Sequence, residues 1–202
     1  MSVEKEEIIP SPPLNRRRRL LGIMIPVVNL PIFLWKAYDI PVKLSSGMQW
    51  TNQDMISDII LLLSSLALIY IMSTWTPVFT SRYWFTDKGI KIKRLLKKTL
   101  TIDYGSVARV EIYVKNASEG AVSKQAIDHA KNSSSELRKS GFKFSDYTND
   151  DNTIALLICD GRIYMISPLY SKAFAQKLRK KVSQLHVKMI ELTSRGTRER
   201  AI

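Results

Sequence analysis

Two long apolar runs dominate the first half of the chain, at residues 20–35 and 59–78, and neither contains a charged residue. A helix that crosses a bilayer needs about 20 consecutive apolar residues, and the second run reaches that length. The first run is shorter and contains Pro26, Asn29 and Pro31. Taken alone, it fits a core helix, a re-entrant segment or a kinked membrane span.

The residues that flank the runs favour two spans. Trp35 and Tyr38 stand at one end of the first run, where aromatic side chains meet a membrane interface. The loop between the runs offers two basic residues, Lys36 and Lys43, whereas basic residues are frequent before the first run and after the second. At the start of the first run stand four consecutive arginines, Arg16, Arg17, Arg18 and Arg19. The positive-inside rule then predicts a multi-pass protein of the cell membrane with both termini in the cytoplasm.

Two acidic residues lie near the start of the second run, Asp54 and Asp58, one helical turn apart. An acid deep in a bilayer would indicate ion or proton transfer. Both stand at the outer end of the run, so we expect water and head groups to solvate them.

After Phe79 the apolar positions alternate every second residue, which is typical of half-buried strands. Ile90 and Ile92 take the inner face of the first hairpin, and Lys91 and Lys93 take its outer face. Asp160-Gly161 suits a tight turn between two later strands. The pattern predicts six antiparallel strands, or seven if the segment around residues 142–144 also pairs.

An amphipathic helix is predicted after Pro168, closing the antiparallel barrel or bent sheet. Its apolar stripe consists of Phe174, Leu178, Val182, Leu185, Met189 and Leu192. We expect Cys159, Ile163 and Phe174 to be buried in one core between this helix and the strands. The predicted class is therefore an α+β membrane protein.

Changes in composition divide the chain into four segments. Residues 1–19 are predicted to be a disordered basic cytoplasmic N-terminus, 20–79 a two-helix transmembrane hairpin, 80–193 a cytoplasmic domain, and 194–202 a flexible tail. Within the domain, 116–152 is a polar insertion that we expect to be disordered or a loose helix. Asn116 would cap that helix.

A formal net charge of +13 and a pI near 9.9 leave nucleic acid, acidic lipids and acidic proteins open as partners. Nucleic acid is disfavoured because no recognised helix-turn-helix, finger or RNA-binding motif occurs. The chain also has no glycine-rich phosphate loop, nucleophile elbow or set of metal ligands. We therefore expect no enzymatic activity, no cofactor and no metal site.

The stretch RYWFTDKGIKIKRLLKKTLTIDYGSVARVEI and the later DGRIYMISPLYSKAFAQKLRKKV resemble a known family. Both are similar to membrane-anchored bacterial and archaeal domains with a pleckstrin-homology-like (PH-like) fold, in which two spans precede the domain. The resemblance covers roughly residues 82–185 with a gap and implies a small bent-sheet barrel capped by a helix. It implies no catalytic residue.

These observations predict a membrane-anchored binding or scaffold module that contacts the inner leaflet or a partner. Contact is expected through the basic residues of the first hairpin and its connection, Lys91, Lys93, Arg94, Lys97 and Lys98. Positive charge beside a span attracts anionic lipids by about 1 kcal/mol per residue close to the surface. The alternatives are an accessory subunit of a larger integral membrane complex, with a protein partner in the membrane, and a nucleic-acid-binding membrane protein. Oligomeric state is left open.

Overall fold

The computed structural model describes residues 6–75, 78–115, 126–182, 185–193 and 196–201. The chain divides into two compact units. Residues 16–79 form one of them, called the helical unit below, and the residues on either side of it form the sheet unit. The sheet unit is therefore discontinuous in sequence, because its first strand precedes the helical unit and all its other strands follow it.

The described part of the helical unit contains two helices, α1 (Arg16–Ser45) and α2 (Gln53–Trp75). Both are long and apolar enough to cross a membrane, judged by length and composition. The uncharged run 20–35 lies inside the 30-residue α1, which is about 45 Å long at the usual helical rise. Pro26 and Pro31 lie inside the helix and do not end it, so the whole of the run is helical.

The described part of the sheet unit contains two open sheets. The four-stranded sheet is antiparallel, in the order β1 (Glu7–Ile9), β2 (Ser81–Phe85), β3 (Gly89–Arg94) and β4 (Leu100–Asp103). The six-stranded sheet is mixed, in the order β10-β9-β5-β7-β8-β6. Its strands are β5 (Val107–Lys115), β6 (Lys143–Asp146), β7 (Thr153–Cys159), β8 (Arg162–Ile166), β9 (His186–Thr193) and β10 (Gly196–Ala201). The sheet unit also holds α3 (Ala126–Lys139) and α4 (Ser171–Lys181).

The described residues form two hydrophobic cores, one on each face of the six-stranded sheet. The first joins this sheet to the four-stranded sheet and α4, with members such as Ile90, Val110 and Phe174. The second lies under α3 and includes Ala130, Leu156 and Ile163. Because apolar side chains leave both faces, strands such as β7 are apolar at almost every position.

The sequence placed Cys159, Ile163 and Phe174 in one core, and this is wrong for Ile163. All three side chains are buried, but Cys159 and Phe174 belong to the first core and Ile163 to the second. Ile163 and Tyr164 are neighbours in β8, and neighbours in a strand point to opposite faces. A second covered face was not expected, so these three residues were assigned to a single core.

The predicted C-terminal helix is confirmed as α4 but is shorter than its apolar stripe. It ends at Lys181, and His186–Thr193 forms β9 instead, parallel to β5. Val187 and Met189 enter the first core, while Ile190 and Leu192 enter the second. A strand buried on both faces therefore places apolar residues at spacings that a helical stripe also satisfies.

Two terminal segments also differ from expectation. Within the segment expected to be disordered, Glu7–Ile9 pairs with β2, and Ile9 is buried in the first core. Beyond β9, in the expected flexible tail, Gly196–Ala201 forms β10 and pairs with β9. β1 pairs with a strand far along the sequence and β10 with the adjacent β9, and local composition indicates neither pairing.

The polar insertion contributes α3 and β6 to the sheet unit, while residues 116–125, including the proposed cap Asn116, lie outside the described part. The helix packs on the sheet through its apolar residues Ala126, Ile127 and Ala130. On its polar side the Ser133 hydroxyl donates to the buried carboxylate of Glu111 on β5, at 2.9 Å. The insertion therefore supplies the cover for the second core.

The thiol of Cys159 provides a test of the first core, because burial raises its pKa to about 11. The folded chain then holds this proton more tightly than the unfolded chain. The corresponding stability is present below pH 9 and is lost as the pH rises towards about 11. We expect iodoacetamide to modify the native chain near pH 8 much more slowly than the urea-denatured chain, measured by mass spectrometry. Equal rates would show that Cys159 is accessible.

Candidate membrane-facing surface

One residue of the sheet unit, Asn149, forms hydrogen bonds to the chain just before α1 and to the start of β2. Its side-chain amide donates to the carbonyl of Ser81 and accepts from the Ser81 N–H, both at 2.8 Å. Its backbone carbonyl accepts from the N–H of Asn15 at 2.7 Å. Asn15 is the last residue before α1 and Ser81 the first residue of β2. This arrangement, called the Asn149 clamp below, holds the two connections at one place.

The clamp is itself buried and hydrogen-bonded. The Asn149 side chain is fully buried, and its backbone N–H donates to the Ser167 hydroxyl at 2.7 Å. Nearby, the Tyr83 hydroxyl donates to the carbonyl of Tyr147 at 2.5 Å, and burial raises the pKa of Tyr83 to about 12. Satisfied buried polar groups fix one geometry, since any displacement would leave them without partners.

The turn between β3 and β4 lies at the same edge of the four-stranded sheet as the clamp. Ser81, at the start of β2, pairs with Arg94, at the end of β3. Leu95 and Leu96 follow directly, and their side chains are 62% and 64% exposed. Leu96 has a φ of 60° and is the one residue other than glycine with a positive φ in the described chain. The edge where both connections leave thus also carries two exposed leucines.

The predicted basic residues surround this turn, but they do not form one continuous exposed strip. Lys93 and Lys98 are exposed, whereas Lys91 is half-buried and pairs with Glu6 at 2.5 Å. Lys97 is half-buried, with its Nζ 5.3 Å from the centre of the Tyr147 ring. Burial, followed by repulsion from Arg94, lowers the pKa of Lys97.

Arg94 differs from its neighbours because its side chain is 2% exposed. It lies on the inner face with Ile90 and Ile92, as the two-residue period of a strand requires. Its Nη1 donates to the carbonyl of Asp146 at 2.9 Å, and its guanidinium lies 4.9 Å from the centre of the Tyr147 ring. Arg94 therefore supports the turn from inside, and the basic groups that the turn presents to solvent come from its lysines.

The helical unit contains a cluster of charges that the sequence pattern did not predict. Lys36 and Lys43 on α1 contact Asp58 on α2, with Nζ–Oδ distances of 2.6 and 2.5 Å. Asp39 joins them at 2.9 Å from Lys43 and 3.5 Å from Lys36. Asp58 was expected to be solvated, yet its side chain is buried, because the two lysines replace water as its partners. Two cations and two anions make the cluster neutral.

The sheet unit also has a groove of about 220 Å³ between β1 and α4. Its lining is mainly apolar and includes the side chains of Ile8, Phe85 and Tyr170. Among the described residues no three or more His, Cys, Asp or Glu side chains form a group suited to a metal ion. The arginines Arg16–Arg19 form the first turn of α1.

Comparisons with known proteins find no matching family model, no similar curated protein and no similar solved structure.

Proposed function

We propose that this chain is a non-enzymatic, membrane-anchored binding module. In this proposal α1 and α2 cross the membrane as a hairpin, both termini lie in the cytoplasm, and the sheet unit contacts the inner leaflet. The observation that carries it is the edge held by the Asn149 clamp. That edge bears both connections to the candidate spans and also Lys93, Lys97 and Lys98.

We further propose that the sheet unit is PH-like. In support, β2, β3 and β4 follow one another as an antiparallel sheet, and β5, β7 and β8 are successive antiparallel neighbours in the other. The next element is α4, which packs into the core between the sheets through Phe174 and Leu178. On this interpretation β1, α3, β6, β9 and β10 are additions to the family's fold.

The topology is testable with reporter tags at the N-terminus, in the connection 46–52 and at the C-terminus of the full chain. We expect the two terminal tags to be accessible from the cytoplasm and the tag in the connection to be accessible from outside, because basic residues flank the hairpin on its terminal sides. A connection tag that is never reached from outside, in cells whose terminal tags are detected, would contradict the hairpin.

A specific observation supports the second candidate function, an accessory subunit of a membrane complex. Beside the groove between β1 and α4, Ile8 and Tyr170 are 70% and 62% exposed, which suits a protein partner better than water. Purification in mild detergent would separate the two roles. A stoichiometric partner that is lost on Ile8→Asp and kept on Lys98→Gln would favour the subunit role.

A further inference from the structure

The two exposed leucines of the β3–β4 turn do nothing evident for the fold. Leu95 and Leu96 lie outside both cores, and their exposure means that most of their apolar surface remains in water. A turn closed by the hydrogen bond from the N–H of Lys97 to the carbonyl of Arg94 places Leu96 third of four residues. With a positive φ, that position favours glycine or asparagine. Leucine there costs conformational energy and gains no burial.

The surroundings of the two leucines indicate what would cover them. Lys93 and Lys98 are exposed on either side of the turn, and the Nζ of Lys97 lies 5.3 Å from the centre of the Tyr147 ring. The turn therefore has an apolar tip with a cationic rim. An anionic lipid surface matches both parts, because its acyl region takes apolar groups and its phosphates attract lysine.

The position of the turn points to the same surface. It lies at the sheet edge where the Asn149 clamp holds Asn15 and Ser81. In the sequence, residues 76–80 alone separate α2 from β2, and such a segment reaches at most about 20 Å. If α2 spans the membrane, this edge is tethered close to the leaflet.

We propose that Leu95 and Leu96 insert into an anionic leaflet while Lys93, Lys97 and Lys98 contact its phosphates. This inference rests on the proposed function and adds the part of the molecule that enters the lipid. A protein partner is a poorer match, because two projecting side chains cover much less than the roughly 800 Å² that each side of a stable interface buries. A bilayer needs no complementary pocket.

The test places a fluorescent probe on single cysteines in the full chain, reconstituted into bilayers that contain nitroxide-labelled lipids, with Cys159→Ala removing the native thiol. The proposed tip is probed by Leu96→Cys. Lys88→Cys is the matched control, since Lys88 is exposed in the turn at the opposite end of β3. Leu63→Cys, exposed on α2, reports whether the helix is in the membrane.

In bilayers with anionic lipid we expect strong quenching at positions 63 and 96 and little at 88. Quenching at 96 should fall towards the level at 88 in purely zwitterionic bilayers, and likewise when Lys97 and Lys98 are both replaced by Gln. Quenching at 63 without quenching at 96 would overturn the inference and leave the anchoring intact. Absence of quenching at 63 would overturn the anchoring and, with it, this inference.

A second variant separates insertion from folding. Leu96→Asn supplies a residue that tolerates positive φ, so the chain should unfold at the same or a higher temperature than wild type. The same change should abolish quenching of a probe on Leu95→Cys. If quenching at 95 persists at the wild-type level, an apolar side chain at 96 is not needed for insertion and the inference fails.

Discussion

Replacing Asp58 with asparagine should destabilise the α1–α2 hairpin by about 3 kcal/mol. The cluster is neutral in the wild type, and the change leaves it with one uncompensated cation. Lys36 would lose its closest carboxylate oxygen, at 2.6 Å, and keep only Asp39 at 3.5 Å. Lys36 is buried, so water does not replace the lost partner. Reversible unfolding of the full chain in mixed micelles, followed by circular dichroism, would measure the difference.

Asp54→Asn is the matched control, because it makes the same chemical change one turn earlier on α2 at an exposed residue. We expect it to cost less than about 1 kcal/mol. A double variant, Lys36→Met with Asp58→Leu, should recover most of the stability, since apolar residues often replace a buried ion pair without loss. Equal effects of Asp58→Asn and Asp54→Asn would show that the cluster does not stabilise the hairpin.

Phe174→Ala should destabilise the sheet unit by about 3–5 kcal/mol, the usual cost of removing a buried aromatic ring. Phe174 is 3% exposed, and its ring stacks on Phe85 with centroids 5.6 Å apart. It thereby joins α4 to β2, and the alanine would leave a cavity between them. The measurement is thermal or denaturant unfolding of the full chain, since a fragment that starts at β2 lacks β1 and the Asn15 contact with the clamp.

The control for this change is Lys180→Ala, an exposed position on the same helix, which should alter stability by less than about 0.5 kcal/mol. The change at Phe174 should also loosen β1, because Lys177 on α4 pairs with Glu7. Hydrogen exchange at Ile9 would then rise in the alanine variant. A variant as stable as Lys180→Ala would contradict the role given to α4.

Local patterns predicted the elements whose stability is decided locally. The charge-free run 59–78 overlaps α2, and the alternation in β3 placed the side chains of Ile90 and Ile92 on the correct face. The same alternation, continued by two residues, would have turned Arg94 inward. Arg94 was instead grouped with the lysines because of its charge, and the charge of a residue does not show on which side of a strand it lies.

The rest depends on contacts between residues far apart in the sequence. Nothing near Asn149 indicates that its amide pairs with Ser81, 68 residues away. The neutral cluster around Asp58 likewise needs α1 to bring Lys36 opposite α2. β9 was taken for helix because the local pattern could not show that both faces of the six-stranded sheet are covered. Such features follow from packing, which single-sequence periodicity does not contain.

The discontinuous sheet unit imposes an order on biogenesis. β1 leaves the ribosome first, but β2, its partner, follows only after both apolar helices have been made. During that interval β1 has an open edge and Ile9 has no core to enter. Since domains fold as their parts emerge, the four-stranded sheet cannot be completed before the hairpin has been synthesised. Translation thus completes both apolar helices before the sheet unit can fold.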